Sequence, residues 1–139
     1  MRLLNIHGKL VNKSVSKYLI DWGGRSRSNI QFQTKQFLRL YWGSHIVYEE
    51  FPVYGSRMKV DFVNATKKIA VEVQGLQHEA FNPFFHNNSR MTYLSSIKRD
   101  YEKSKWLELN GFKILEIYEK EIKKLTPEYF EKTFGIHLL

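Results

Sequence analysis

Two short segments of alternating apolar and acidic residues, joined by a turn, constrain this chain more than any other feature. The first covers residues 58–63 with Asp61 near its middle, and the second covers residues 69–75 with Glu72 at its centre. Alternation with a period of two is typical of β-strands, and the Asn-Ala-Thr-Lys sequence at 64–67 has the composition of a turn. The pattern therefore predicts a β-hairpin with one apolar face and one face that carries both carboxylates.

The register of this hairpin determines whether the two carboxylates meet. If Asp61 pairs opposite Glu72, then Val63 faces Ala70 and the turn falls on the turn-forming residues. Two like charges side by side in a sheet repel each other and are costly unless a cation neutralises them. Oxygen ligands select Mg²⁺ or Mn²⁺ over zinc, so the pair predicts a site for one of these two ions.

Composition and charge narrow the class of protein. The 139 residues, 42% apolar and 15% aromatic, are enough for one domain with a substantial core. Lys and Arg outnumber Asp and Glu by 22 to 14, and the formal net charge of +8 indicates a polyanionic partner, with nucleic acid the leading candidate. The absence of cysteine excludes disulfides, thiolate zinc sites and cysteine nucleophiles. No segment has the composition of a transmembrane helix or a signal peptide, so we expect a cytoplasmic protein with no membrane partner.

Basic residues are concentrated near the start of the chain. Residues 1–28 hold six basic side chains against one acid, and a Trp-Gly-Gly sequence at 22–24 precedes two of the arginines. We predict that residues 1–27 form a basic N-terminal arm that contacts phosphates. The alternative is a solvated segment with its tryptophan packed on the core. The side chains expected to contact DNA are Lys13, Lys17, Trp22, Arg25 and Arg27 in the arm, and Arg57, Arg90, Lys98 and Arg99 elsewhere.

Periodicity and capping residues predict the remaining elements. Ser28 is a suitable N-cap for a helix that ends at about Tyr41, and Pro52 indicates an edge position or the end of the strand at 45–53. A loop is expected at 76–88, a helix at 89–110, a strand at 112–118 and a short helix opened by Thr126 and Pro127. The apolar stripes predicted to face the core are Ile30, Gln33, Phe37, Leu40 and Tyr41 on the first helix, and Leu94, Ile97 and Tyr101 on the second.

This succession of elements, with Asp on one strand and Glu-x-Gln on the next, resembles the PD-(D/E)XK nuclease superfamily. Asp61 and Glu72, separated by ten residues, match the two acids of its motif, and Gln74 stands where the family has lysine. The continuation to His78, with Arg-Asp-x-x-Lys at 99–103, Gly111 and a strand, is similar to the branch related to very-short-patch-repair endonucleases. The resemblance covers about residues 28–118. It implies an α/β (α+β) fold with a restriction-endonuclease-like core, in which helices flank a central mixed four-stranded sheet.

The resemblance also implies roles for individual residues. Asp61, Glu72 and the backbone carbonyl of Val73 would hold Mg²⁺ or Mn²⁺, which would polarise the scissile phosphate and activate water. Gln74 would orient that water, and His78 would serve as general base or outer-sphere ligand. The charge of the missing lysine would come from Lys98, Arg99 or Lys103. The accessory position is Gln33, which helix amphipathicity favours over Gln31. Glu49 and Glu50 compete for the same role, and for Glu50 a salt bridge is an equal alternative.

Two classes of function remain open from the sequence. The first is a metal-dependent endonuclease acting on DNA, either a structure-selective enzyme similar to phage and archaeal Holliday junction resolvases or a mismatch- or site-specific nicking enzyme. A homodimer would then place two active sites on opposite strands, in the cytoplasm of a bacterial or phage-infected host cell. The second is a non-catalytic DNA-binding module that retains the nuclease fold, which Gln74 favours. RNA is a weaker alternative substrate. In either class the chain is expected to be a single domain, with a core at 28–118 and a C-terminal helix within 119–139.

Overall fold

The computed structural model describes residues 1–75 and 90–138, so the loop predicted at 76–88 lies outside the described residues. Short turns of 3₁₀ helix occupy Ser16–Tyr18 and Glu119–Lys124. The strands and helices are β1 (Arg2–Leu4), β2 (Leu10–Asn12), α1 (Asn29–Trp42), β3 (Val47–Pro52), β4 (Lys59–Asn64), β5 (Ile69–Gln74), α2 (Arg90–Leu109), β6 (Lys113–Tyr118) and α3 (Pro127–Phe134).

Strands β3 to β6 form a four-stranded mixed sheet in the order β3-β4-β5-β6. The first two pairings are antiparallel and the pairing of β5 with β6 is parallel, with α2 between these two strands in sequence. The predicted hairpin register is confirmed, because Val63 pairs with Ala70. The edge position predicted from Pro52 is also confirmed, since β3 is the first strand of the sheet.

Helices cover both faces of this sheet. On one face, Leu38 and Trp42 of α1 and Phe130 of α3 are buried in one core with apolar residues of β4, β5 and β6. On the other face, Trp106 and Leu107 of α2 are buried in a second core with residues of β3, β4 and β5. All six residues of β5 are buried. The hairpin acids therefore lie inside the protein, and their environment is set by the elements that pack over them.

The start of the chain is part of the fold and is not a peripheral arm. Strands β1 and β2 pair with each other, and Leu3 is buried in the same core as Trp106. The Leu4 N–H donates to Oδ1 of Asn110 at 2.7 Å, and the Leu4 carbonyl accepts from Nε1 of Trp106 at 2.7 Å. The predicted arm is therefore wrong for this stretch. Strands of three residues carry too little periodicity to be recognised beside their basic neighbours.

The helix caps lie where the sequence predicts them, but the buried faces of the helices differ from the prediction. The Ser28 side chain caps α1 by accepting from the Gln31 N–H at 3.2 Å, and the Thr126 side chain caps α3 in the same way, with Gly135 at its end. The predicted stripe of α1 is partly right, because Ile30, Phe37 and Tyr41 are partly buried against the core, whereas Gln33 and Leu40 are exposed. The fully buried face is shifted by one residue along the chain and includes three polar side chains. The buried residues of α1 are Gln31, Thr34, Lys35, Leu38 and Trp42.

The predicted stripe of α2 is wrong. Leu94, Ile97 and Tyr101 are exposed, whereas the buried side chains among those described on this helix are Trp106 and Leu107. The helix packs on the sheet through its C-terminal half, so an apolar stripe near its start was not a sign of burial. No helix among residues 1–75 and 90–138 is long and apolar enough to span a membrane.

Strand β3 changes the face that its side chains present partway along its length. Val47 belongs to the core beneath α1, whereas Phe51 belongs to the core beneath α2, although strict alternation would place these two residues on the same face. Between them, Glu50 has a φ of 53°, in the left-handed region that residues other than glycine rarely adopt. This left-handed residue reverses the alternation of side-chain faces along β3. The pairs on either side of it, Glu49 with Phe62 and Phe51 with Val60, place Glu50 opposite Asp61.

Candidate functional site

Asp61 and Glu72 lie side by side in the middle of the sheet. Their exposed fractions are 4% and 7%. The Asp61 N–H donates to Oε2 of Glu72 at 3.1 Å, and the Val73 N–H donates to Oδ2 of Asp61 at 2.8 Å. The structure therefore brings together the two acids that the sequence singled out, and each carboxylate accepts a backbone hydrogen bond of the hairpin.

Burial makes this pair electrostatically costly. Loss of hydration, together with the charge of Glu72, raises the pKa of Asp61 to about 8. The Val73 N–H and the Arg27 guanidinium act in the opposite direction without cancelling the increase in the pKa of Asp61. Without a further cation, Asp61 therefore holds a proton at neutral pH.

Each acid has a basic partner from another part of the chain. Nζ of Lys103 on α2 lies 2.6 Å from Oε1 of Glu72, and the lysine side chain is only 18% exposed. Nη2 of Arg27 lies 3.3 Å from Oδ1 of Asp61, and its Nε lies 3.5 Å from Oε1 of Glu50. Arg27 remains 68% exposed. The lysine pair is short and shielded, whereas the arginine pairs are long and open to water.

A cavity of about 370 Å³ lies beside the two acids. Its walls come from Arg27, from both strands of the hairpin and from α2. Gln74 also lines it. Basic side chains outnumber acidic ones in its lining, so the cavity suits an anion that approaches the buried acids. The charged residues are Arg27, Arg57, Lys59, Arg99 and Lys103 against Asp61, Glu72 and Asp100.

A buried polar cluster that the sequence did not reveal lies between α1 and β3. Lys35 is fully buried, and its Nζ donates to the carbonyls of Asp21 and Arg25 at 2.9 and 3.3 Å and to Oε1 of Glu49 at 3.0 Å. The Ser26 hydroxyl donates to Oε2 of Glu49 at 2.7 Å. This cluster fixes the segment 21–26 against the sheet and so fixes the backbone from which Arg27 extends. The sequence feature that could have indicated this cluster is the spacing of Lys35, which lies on the same side of the helix as Leu38 and Trp42. That spacing is informative only once the buried side of α1 is known.

Gln31, and not Gln33, is the helix residue near the site. The Gln33 side chain is exposed, so its predicted accessory role is wrong. Nε2 of Gln31 donates to Oε2 of Glu49 at 2.8 Å and to Oε1 of Glu50 at 3.4 Å. Its Oε1 is buried and has no hydrogen-bond partner in the part of the chain that the structure describes. Glu50 makes the salt bridge that was one of its two predicted roles.

The predicted DNA contacts fall into separate groups. Arg27, Arg57 and Arg99 line the cavity, whereas Lys98 and Arg25 are exposed outside its lining. Lys13, Lys17 and Trp22 are not part of the cavity lining. Nζ of Lys13 lies 5.6 Å from the ring centre of Tyr54, and Nζ of Lys17 lies 5.2 Å from the ring centre of Tyr18. Trp22 is half-buried against the core beneath α1. The Arg90 side chain and His78 lie outside what the structure describes.

Asp61 and Glu72 are the described side chains best placed to hold a metal ion in this cavity. No group of three or more His, Asp or Glu side chains able to hold a metal ion occurs within the described ranges. Mg²⁺ needs fewer protein ligands, because it usually keeps several waters and binds through one or two carboxylates and the phosphates of its substrate. Asp61 and Glu72 fit that donor set. Oε1 of Gln31 is a further buried oxygen without a hydrogen-bond partner among the described residues, on the amide whose Nε2 contacts Glu49 and Glu50.

Comparison with known proteins identifies one similar viral protein. Over 77 residues the chain is 35% identical to "Uncharacterized protein 033L" of Invertebrate iridescent virus 3, and this stretch is 55% of the chain and 39% of the viral protein. The chain thus spans well under half the length of that relative. No protein-family model matches the chain, and no solved structure matches it. The function must therefore be inferred from the site itself.

Proposed function

We propose that this protein is a divalent-cation-dependent endonuclease that hydrolyses phosphodiester bonds in DNA, with a restriction-endonuclease-like core. The observation that carries the proposal is the buried pair of Asp61 and Glu72 in a cavity lined by five basic side chains. Two neighbouring buried carboxylates destabilise a fold unless a cation compensates them. Perturbed acids in a cavity with basic walls are typical of a site that handles a cation and a phosphate.

The donor set supports Mg²⁺ or Mn²⁺ as the cofactor. Asp61 and Glu72 would hold the ion, with the carbonyl of Val73 as the remaining predicted ligand. A bound ion would supply Lewis acidity for the phosphate and would lower the pKa of a coordinated water. Its charge would also favour the ionised form of Asp61, because an adjacent cation lowers the pKa of a carboxyl group.

Lys103 is the residue we propose in place of the family lysine. Its ammonium lies 2.6 Å from Glu72, and its side chain lines the same cavity as Gln74. A fixed positive charge there stabilises the negative charge that develops on phosphate oxygens in the transition state. The Gln74 amide carries no charge, but it can hold a water by hydrogen bonds. His78 remains the predicted general base.

DNA, and branched DNA in particular, is the proposed substrate. The three arginines of the cavity lining, Arg27, Arg57 and Arg99, offer positive charge to phosphates. Contacts of this kind position nucleic acid but carry no sequence information. Recognition by backbone shape, as in Holliday junctions, needs nothing more. A homodimer, also proposed, would allow both strands to be cut.

A second candidate is a non-catalytic DNA-binding module. Both acids already have basic partners, Lys103 and Arg27, and Gln74 replaces the motif lysine. In this case the acids would help to hold α2 and Arg27 in place, and the cavity would bind phosphate without hydrolysing it.

Cleavage assays separate these candidates. We propose incubating the protein with labelled duplex, mismatched, flap and four-way-junction DNA in Mg²⁺, Mn²⁺ or EDTA. We expect cleavage with either ion, none in EDTA, and a preference for the four-way junction. Preferred cutting of the mismatched duplex would instead indicate the nicking alternative. DNA binding without cleavage under every condition would support the non-catalytic module.

Two glutamine variants provide a matched pair for this assay. Glu72→Gln should reduce cleavage by at least about a hundredfold, because it removes a proposed cation ligand. Glu116→Gln removes an exposed carboxylate from β6 at the position paired with Glu72, and it should cleave like the unmodified protein. Equal activity of the two variants would contradict the proposed role of Glu72.

A further inference from the structure

Arg27 is held loosely between two acids. Its contacts with Asp61 and Glu50 are 3.3 and 3.5 Å long, and its side chain is 68% exposed. Strong charge-assisted hydrogen bonds are shorter, about 2.7–2.9 Å, and water weakens the hold on an exposed guanidinium. The guanidinium can therefore move to another anion once a cation takes its place beside Asp61.

The other basic partner in the site is held differently. Nζ of Lys103 lies 2.6 Å from Glu72 and is largely shielded from water. Removing it would leave a buried carboxylate without its partner, which is costly. Of the two basic side chains that contact the central acids within the described residues, Arg27 is thus the one that can change partners.

The backbone that carries Arg27 is fixed. The buried Lys35 binds the carbonyls of Asp21 and Arg25, and the Ser26 hydroxyl binds Glu49. A change of partner therefore requires only rotation of the Arg27 side chain, whose guanidinium already lines the cavity. A phosphate in the cavity would lie within reach of the same side chain.

We propose that Arg27 exchanges a carboxylate for a DNA phosphate, so that cation binding and DNA binding reinforce each other. In the free protein Arg27 contacts Asp61 and Glu50. A divalent cation bound at Asp61 would repel the guanidinium and would itself compensate the charge of the carboxylate. The Arg27 side chain would then rotate and bind a phosphate of the DNA. This inference rests on the proposed cation-dependent function.

Fluorescence anisotropy with a labelled DNA duplex, in Ca²⁺ or EDTA at constant ionic strength, tests the exchange. Ca²⁺ should raise the affinity of the unmodified protein about tenfold, within the roughly 5- to 150-fold range of typical coupling between sites. Arg27→Gln should keep the EDTA affinity and lose the gain in Ca²⁺. Arg25→Gln, at an exposed position in the same segment, should lower the affinity by the same factor in both buffers and keep the gain.

Asp61→Asn provides a test without any divalent ion. Measured at pH 8.5, where the Asp61 carboxyl is ionised, it removes the negative charge that Arg27 contacts, so its affinity in EDTA should rise toward that of the unmodified protein in Ca²⁺. Adding Arg27→Gln to this variant should abolish the rise. If Arg27→Gln weakens binding equally in EDTA and Ca²⁺, or if Ca²⁺ does not raise the affinity of the unmodified protein, the exchange is wrong.

Binding of Mn²⁺ to the protein alone, measured by electron paramagnetic resonance, separates the two levels of inference. Mn²⁺ binding that is absent, or that is unchanged in Asp61→Asn, would contradict the proposed function itself. Mn²⁺ binding and DNA cleavage without any coupling would overturn only the exchange of Arg27.

Discussion

At the scale of single residues, the buried acids determine how the protein responds to pH. Asp61 ionises near 3.8 when exposed and at about 8 in the folded protein. Between these values the folded state holds one more proton than the unfolded state. The free energy of unfolding must therefore fall as the pH rises from about 4 to 8, and level off above, because stability decreases wherever the folded state binds more protons.

This dependence can be measured by urea unfolding at pH 5 and pH 8.5 in EDTA. The free energy of unfolding of the unmodified protein should fall between pH 5 and pH 8.5. This fall should exceed that of Asp61→Asn by at least about 1 kcal/mol, since one pKa unit corresponds to about 1.4 kcal/mol. Mg²⁺ at pH 8.5 should restore stability to the unmodified protein and not to the variant. Identical pH profiles for the two proteins would show that Asp61 does not titrate in this range.

Lys103 gives a second prediction at this scale. Lys103→Gln should slow single-turnover cleavage about a hundredfold or more, the usual scale for losing a charge that stabilises a transition state. Adding Gln74→Lys should restore part of the rate, because the ammonium returns from the adjacent strand to the same cavity. Circular dichroism of both variants serves as the control for folding. Full activity of Lys103→Gln would contradict this role of Lys103. The positive charge that stabilises the transition state would then have to come from the cavity arginines.

At the scale of secondary-structure elements, the buried pair of Lys35 and Glu49 links α1 to β3. Lys35→Met should lower the free energy of unfolding by about 3 kcal/mol, because it leaves Glu49 buried without its cation. The double variant Lys35→Met, Glu49→Met should be more stable than the single variant. Urea unfolding of the set gives the coupling free energy, and strictly additive effects would contradict a direct interaction.

The element scale also shows which parts of the fold and site the sequence could predict. Local chemistry predicted the cap at Ser28 and the hairpin register, because caps and turns depend on neighbouring residues. The predicted phase of α1 was shifted by one residue because polar side chains occupy its fully buried face, and apolar periodicity cannot detect a buried lysine. The approach of Lys103 to Glu72 depends on how α2 crosses the sheet, so the sequence could offer that lysine only as one of three candidates.

At the scale of the whole molecule, the first strands complete the core beneath α2. Leu3 covers Trp106, and Leu4 is bonded to two side chains of that helix. Deleting residues 1–14 should therefore lower the melting temperature by at least about 10 °C or abolish cooperative unfolding, since a buried leucine alone contributes about 2–5 kcal/mol. Differential scanning calorimetry measures this. If the deletion variant has the melting temperature of the full chain, residues 1–14 are not part of the core, and the N-terminal arm predicted from the sequence would be supported.

The reversal of β3 at Glu50 limits how copies of this protein can associate. Open edge strands invite pairing with a strand of another chain, and the usual safeguards are a kink, a proline or a covering segment. Here the bridge between Leu19 and Tyr48 covers the first half of the edge, and the second half contains a left-handed residue followed by Pro52, which has no N–H to offer. Two sheets therefore cannot join through β3 into a continuous sheet. A homodimer of this nuclease candidate has to form through other surfaces, and the same interruption protects the chain against fibrillar aggregation along that edge.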